Sequence, residues 1–445
     1  MSRSIRSLLS GSAGLFAMRV SGAGLGFVTQ ILLAHMLGAE ELGLFYSATS
    51  LAAVAGFVTS LGYSQIAYRF SARYRDDHHS AFFKAFVSRA TYDGLVCSTI
   101  VAAIVVAVSL LYPGLDQATR LIYAMAGAII VPAAFMVLYT NLAGAIRRFG
   151  WCYVPDGLVR PFALLAFIVA LRLGLGPVSG VTVMFIFSAI VVATAIALLI
   201  ALRPHLPEFA WPGHSGRRLG RRWRSEARPL VLLSLYTNSF ADVSILFAWP
   251  FLSQSNLAVF GVCLKLSLLI GYFVQTAQQM AIPDIADARE RRDPDGMRRA
   301  ARRSVLLPAV ATFGATIVCA IFGHDILSFF GAEFSHATVV LVIMVASQFV
   351  RAMAGPSAHV LTLSGAQKLN AMLCVGALVT LLVANAALGT YLGPEGAAWA
   401  VFISYTGWIA ATAIAVAKLG EMRTDLAALV MSHNSRKTTR LMPAE

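Results

Sequence analysis

Residues Val178–Leu202 read VSGVTVMFIFSAIVVATAIALLIAL, twenty-five positions without a charge, and the next twenty-six, Arg203–Arg228, hold seven arginines. A hydrocarbon core about 30 Å thick is crossed by roughly 20 apolar residues in a helix. The two segments together predict a membrane-crossing helix with positive charge fixing one of its ends.

The rest of the chain has the same character. Of its 445 residues 58% are hydrophobic and 13% charged, with a mean hydropathy of +0.73. A soluble fold of this length would carry roughly a quarter of its residues as charges. Cytosolic enzyme, secreted scaffold and disordered protein are therefore excluded as classes. The formal net charge of +14 concerns topology in a bilayer, and no nucleic-acid partner is expected.

Twelve apolar stretches have the length of a span: 8–36, 42–68, 90–112, 121–145, 153–171, 178–202, 229–251, 257–282, 305–322, 337–363, 371–391 and 397–419. Their connections alternate in charge. One set contains the N-terminus, Arg69–Arg89, Arg147–Arg148, Arg203–Arg228, Arg289–Arg303, Lys368 and the tail from Lys418, and holds 29 of the 35 Lys and Arg residues. The other set holds only Arg120 and Arg172. Positive residues mark the cytoplasmic side, so both termini are expected there, which requires an even number of spans. The start resembles a signal peptide, but Arg19 interrupts its apolar run, which continues to Met36; it reads as a retained first helix.

The most basic connection divides the chain into an N-terminal six-helix lobe (1–205), a basic cytoplasmic linker (206–228), a C-terminal six-helix lobe (229–420) and a polar tail (421–445). Across the divide Leu37, Leu42, Phe45 and Leu51 match Leu252, Leu257, Phe260 and Leu266. Similarly, Leu142, Gly144, Ala145 and Arg147 match Leu363, Gly365, Ala366 and Lys368. Six spans separate the copies, so the repeats are parallel. The expected fold is an all-α polytopic membrane protein, two six-helix bundles around a central cavity.

Four basic residues fall inside spans: Arg19, Arg160, Lys265 and Arg351. Each costs about 2.5–3.5 kcal/mol to place at mid-membrane, so each needs water, a partner or a ligand. One reading has them line an aqueous cavity that receives an anionic headgroup, because guanidinium forks match phosphate oxygens. The other is internal ion pairing. Asp156 lies one turn from Arg160, and Asp242 is an interior carboxylate that could pair with an arginine or exchange protons or sodium. Amide and aromatic side chains such as Gln65, Tyr63, Asn238 and Gln275 suit either interhelical hydrogen bonds or sugar hydroxyls.

No P-loop, GxSxG or HExxH is present, and nine histidines and five cysteines show no ligand spacing. No catalytic group, metal or cofactor is expected, and the outer loops are short for an outward-facing polymerase or transferase. The basic segments 217–228 and 289–303 are expected to hold anionic lipid headgroups and fix topology.

Five stretches carry a family resemblance: Leu32-Leu33-Ala34-His35-Met36-Leu37-Gly38-Ala39-Glu40-Glu41-Leu42-Gly43-Leu44-Phe45, Leu61-Gly62-Tyr63-Ser64-Gln65, Ile326–Phe334, Gly365-Ala366-Gln367-Lys368 and Gly393-Pro394-Glu395-Gly396-Ala397-Ala398. In their order and spacing the chain resembles the polysaccharide repeat-unit (O-antigen/exopolysaccharide) flippases of the multidrug/oligosaccharidyl-lipid/polysaccharide exporter superfamily. His35 departs from that pattern, where the family commonly has arginine. The resemblance implies a two-lobed, alternating-access transporter in a bacterial inner membrane. It would carry a polyprenyl-pyrophosphate-linked oligosaccharide to the periplasmic leaflet for O-antigen, exopolysaccharide or capsule assembly. Proton or sodium would drive transport, with a polysaccharide polymerase and glycosyltransferases as partners. A drug antiporter of the same superfamily is the main alternative, and interior cations oppose its cationic substrates. A peptidoglycan-precursor flippase is closer, but its members usually carry extra C-terminal helices where a short polar tail is expected here; a membrane enzyme on lipid-linked sugars and an assembly scaffold rank lowest.

Overall fold

Helical breaks set the architecture. Gly38 (φ 69°) interrupts one helix and Gly393 (φ 58°), followed by Pro394, interrupts another. The apolar segments they divide, Ser21–Thr59 and Gln367–Lys418, have 39 and 52 residues. At 1.5 Å per residue these are about 58 and 78 Å long, more than one membrane thickness each.

In this computed structural model, which describes residues 3–73, 80–175, 179–207, 209, 214–291, 293–419 and 424–426, the described chain is helical almost throughout, with no strand among the described residues. Two compact units are present, Met1–Leu246 and Phe247–Glu445. The first comprises α1 (Arg3–Thr59), α2 (Tyr63–Arg73), α3 (Ser80–Leu111), α4 (Gln117–Ala128), α5 (Ile130–Ala145), α6 (Phe149–Val154), α7 (Arg160–Ala170), α8 (Gly180–Leu202) and α9 (His214–Asn238), with α10 (Phe240–Ala248) running across its boundary. The second comprises α11 (Gln254–Glu290), α12 (Pro294–Ser328), α13 (Thr338–Ala354), α14 (Ser357–Leu363), α15 (Gln367–Ala384) and α16 (Thr390–Lys418).

Eight helices are long and apolar enough to cross a membrane, or nine counting Leu219–Asn238 and Phe240–Phe251, which meet at 83°, as one span. The breaks at Gly38 and Gly393, and the shorter α13 continued by α14, account for the remaining stretches read from the sequence. The helical architecture is consistent with twelve crossings.

Within the stretch read as a basic linker, the first half of α9 is not a loose connection. Leu219, Trp223, Ala227 and Leu230 recur at helical spacing and place one apolar stripe against α2 and α3. Trp223 is wholly buried, edge-on to Phe86 at 5.4 Å and to Phe70 at 6.3 Å. Burying an indole of this size stabilises by a few kcal/mol. Arg222 and Arg69 both bond Glu226 on the solvent side of the same helix. The approach is close: a Cβ on Gly62 (φ +74°) would stand 2.6 Å from the Ala227 carbonyl oxygen, so a residue with a side chain fits neither the space nor the backbone.

A second such approach occurs in the other unit. The short segment 424–426 after α16 lies over the turn between α13 and α14, where a Cβ on Gly355 (φ +57°) would stand 2.6 Å from the Thr424 carbonyl oxygen. Thr424 is wholly buried, its hydroxyl 3.1 Å from that of Ser357, and Leu426 packs on Ala301 and Val305.

Candidate functional site

The polar interior of the first unit is organised around a carboxylate. Asp93, buried on α3, accepts a hydrogen bond from the Tyr63 hydroxyl at 2.7 Å and from Arg89 Nε at 3.0 Å, and Arg89 Nη2 lies 2.9 Å from its other oxygen. Arg224 from α9 approaches to 3.8 Å. The i to i+4 spacing of Arg89 and Asp93 supplies the main pair. Two guanidinium groups and a phenol satisfy the buried charge, and the cluster ties α2, α3 and α9 together. Tyr63 is fully buried and its hydroxyl is committed to Asp93.

The other sequence candidates of this unit are separate from that cluster. Arg160 is paired with Asp156 at 3.0 Å, one turn away, and its guanidinium lies 5.8 Å from the centre of the Phe187 ring. Asp242 sits in the first turn of α10, where a negative charge complements the helix dipole, and accepts from the Ser50 hydroxyl at 3.1 Å. Gln65 is half-buried near the start of α2, and Asn238 is exposed at the end of α9 where the chain bends. The side chain of Arg19 lies outside the described residues; the backbone places it on α1, about 28 Å along the helix from the break at Gly38.

In the second unit the sign of the cluster is reversed. Arg351, half-buried in the last turn of α13, hydrogen-bonds the buried Tyr405 hydroxyl of α16. Its carbonyl oxygen accepts from Gln278 Nε2 of α11 at 3.4 Å, and His359 of α14 is an electrostatic neighbour. Gln348, one turn before Arg351, is buried, and a Cβ on Gly271 of α11 would meet its amide oxygen at 2.6 Å. Among the described residues no carboxylate pairs with Arg351, whereas Arg89 and Arg160 each have one. α11, α14 and α16 thus meet α13 at this residue, whose guanidinium bonds a neutral hydroxyl.

Gln275, half-buried, lies one turn from Gln278 on the same helix, so the structure brings it to the level of Arg351. Lys265 is elsewhere. Cys263 Sγ contacts the Ala337 carbonyl beside the start of α13, while Gln278 meets Arg351 near its end. The thirteen residues from Lys265 to Gln278 span about 20 Å of helix. Lys265 and Arg351 therefore stand at opposite ends of α13, too far apart to grip one pyrophosphate together.

Sequence reasoning did not find His359, Gln348 and Tyr405 around Arg351, or the Asp93 cluster. Neighbours contributed by helices tens of residues apart leave no local pattern. A local signal did exist for α9, whose apolar stripe of Leu219, Trp223, Ala227 and Leu230 recurs on one helical face.

Similarities to known proteins fit this architecture. The sequence model of the family described as "polysaccharide biosynthesis protein" matches residues 8–288. Among solved structures, the lipid II flippase MurJ in an inward closed conformation superposes with a TM-score of 0.70 at 11% identity, covering 97% of this chain and 93% of that one. An inward-facing multidrug resistance MATE family transporter of the MOP superfamily gives 0.61 at 16% identity, covering 93% and 99%. A MOP superfamily transporter from Pyrococcus furiosus gives 0.59 at 15% identity, covering 92% and 95%. At these identities the likeness establishes the fold. No curated protein matches the chain.

Proposed function

The chain belongs to the polysaccharide biosynthesis protein family, and from that premise we propose that it is a flippase moving polyprenyl-pyrophosphate-linked oligosaccharide units across the membrane for O-antigen, exopolysaccharide or capsule assembly. The observation that carries this reading is Arg351. A guanidinium inside a span that bonds a tyrosine hydroxyl, with an imidazole as electrostatic neighbour and no paired carboxylate among the described residues, is poised for an anion that arrives and leaves. A pyrophosphate supplies such an anion, and the fork of the guanidinium matches two of its oxygens. Gln275, half-buried one turn from Gln278, supplies an amide at this level for sugar hydroxyls.

Transport by alternating access requires no covalent chemistry. The substrate-binding set comprises Arg351, Lys265 and Arg19, with Arg160 a weaker member because Asp156 already neutralises it. Gln65 and Asn238 extend the glycan path. Lys265, about 20 Å along α11 from the level of Arg351, serves as a second station for the headgroup. Asp242 with Ser50 is the coupling position for a proton or sodium ion, and one elementary charge crossing 100 mV contributes about 2.3 kcal/mol. The two lobes, 1–205 and 229–420, lie in a bacterial cytoplasmic membrane with both termini inside, where glycosyltransferases and a polymerase partner would meet the substrate.

The multidrug antiporter reading draws on the fold shared with the MATE transporter. It conflicts with Arg351, which repels hydrophobic cations. Complementing a deletion strain with wild type, Arg351→Ala and Arg351→Lys at matched protein levels separates these readings. The flippase reading expects lost surface polysaccharide and accumulated lipid-linked oligosaccharide with alanine, partly restored by lysine. Normal polysaccharide in the deletion strain with altered drug sensitivity would favour the antiporter. Full activity of the alanine variant would remove Arg351 from the site.

A further inference from the structure

The two arginine-rich segments, alike in sequence, have different fates. On α9, Arg222 bonds Glu226 and Arg224 approaches Asp93, Arg221 and Arg228 are exposed, and the buried Trp223 anchors one face of the helix. On α12, Arg299, Arg302 and Arg303 line an open groove of about 460 Å³ together with Leu306 and Leu307. Their i, i+3, i+4 spacing puts the three guanidinium groups on one face, and the leucines follow one turn later on that face. Arg302 and Arg303 pair with no carboxylate among the described residues.

An adjoining cavity of about 290 Å³ decides the charge of the occupant. It is lined by Asp284, Asp287 and Asp293 against Arg291, Arg299 and Arg303, and Arg299 lies 3.5 Å from Asp293. Taken together the two hollows present four arginines and three aspartates, an excess of one positive charge. One phosphodiester neutralises it. Beyond the leucines the same face stays apolar and open, with Leu307 63% and Val310 70% exposed. A headgroup seated on Arg302 and Arg303 would therefore send its hydrocarbon chains down this face into the bilayer.

We propose that the groove of Arg299, Arg302, Arg303, Leu306 and Leu307 is a binding site for a singly anionic phospholipid of the phosphatidylglycerol type, held by its phosphodiester on Arg302 and Arg303. The site is separate from Arg351 and does not depend on the identity of the transported substrate. It distinguishes a built lipid site from the diffuse attraction that any basic segment exerts on an anionic leaflet.

Photocrosslinking tests it. The full-length protein is placed in phosphatidylethanolamine bilayer discs with a trace of photoreactive phosphatidylglycerol, and labelled peptides are mapped. Labelling is expected to concentrate on residues 299–310, and unlabelled phosphatidylglycerol should compete it away on the wild-type protein. At the strength typical of an arginine near a charged surface, R302Q/R303Q should lower it about 30-fold. R302K/R303K retains much of it, and R221Q/R222Q leaves it unchanged. The proposal is overturned if labelling is spread evenly over both basic segments or survives R302Q/R303Q. It also fails if a phosphatidylethanolamine probe labels 299–310 equally well, or if inorganic phosphate competes as effectively as the lipid.

Discussion

The interiors of the two units oppose each other in charge logic. In the first, Asp93 is enclosed by Tyr63, Arg89 and Arg224, all within 3.8 Å. In the second, the Arg351 guanidinium bonds Tyr405 and has His359 as an electrostatic neighbour, while Gln278 bonds its backbone carbonyl, with no paired carboxylate among the described residues. A closed set of charges holds helices in one arrangement, and removing a member leaves an uncompensated charge. An open cation gains its counter-charge only when a ligand is bound. The comparison teaches which interior charges to treat as architecture and which as site.

The comparison is broken most directly at Asp93. Asp93→Ala leaves Arg89 buried without its carboxylate and is expected to cost about 3–5 kcal/mol, read as a large drop in apparent melting temperature of the purified protein. If Asp93→Ala is as stable as wild type but transports nothing, Asp93 belongs to the site instead. Arg351→Ala should behave oppositely. On the order of 100-fold loss of flipping is expected, the scale of one charge-assisted contact to phosphate, with folding stability little changed. A stability loss matching that of Asp93→Ala would make Arg351 structural.

Gly62→Ala should destabilise the first unit by roughly 2 kcal/mol, combining a positive φ with a methyl against the Ala227 carbonyl. Protease accessibility near Trp223 reads this release. Unchanged accessibility would mean that α9 tolerates displacement from α2. Arg160→Gln tests the intermediate case, an arginine whose side chain is 37% exposed beside an Asp156 that is 47% exposed. Such a pair contributes about 0.5 kcal/mol, so flipping should fall less than threefold. A loss equal to that of Arg351→Ala would show that Arg160 meets substrate despite its pair.

The smallest effect concerns a loop. Asp116 caps α4, and hydrogen bonds from the Thr119 hydroxyl and, at 3.1 Å, from the Thr119 amide hold its carboxyl below the usual carboxylate range. Because the folded value is depressed, its contribution is complete above the unfolded value of about 4. It is lost as pH falls through the lower, folded value. The protection of the Thr119 amide against hydrogen exchange, relative to its intrinsic rate at each pH, should fall only in that acid window, and Asp116→Asn should flatten the response. An equal acid response in the variant would assign it to another group.

What could be read from the sequence follows the physics of each signal. Apolar length and alternating charge are local or additive, so the spans and the basic side of the membrane stand out at once. Arg160 and Asp156 are one turn apart, and that pair is legible too. The partners of Arg351 come from α11, α14 and α16, and those of Asp93 from α2 and α9; such convergence depends on packing. The backbone turns at Gly62 and Gly355 are similarly hidden, since glycine in a membrane helix signals close approach without naming its neighbour. The length of 27 residues in 337–363 also conceals the break that separates α13 from α14.

The burial of Trp223 has a consequence for biogenesis. The two aromatic rings edge-on to the indole, Phe70 and Phe86, precede it in the chain, so the ribosome has already delivered them when α9 emerges. The 199 residues after Leu246 take about 10–40 s to synthesise at 5–20 residues per second. During that interval α9 can dock on α2 and α3 through Trp223, so the first half can complete this part of its packing before the second half enters the bilayer.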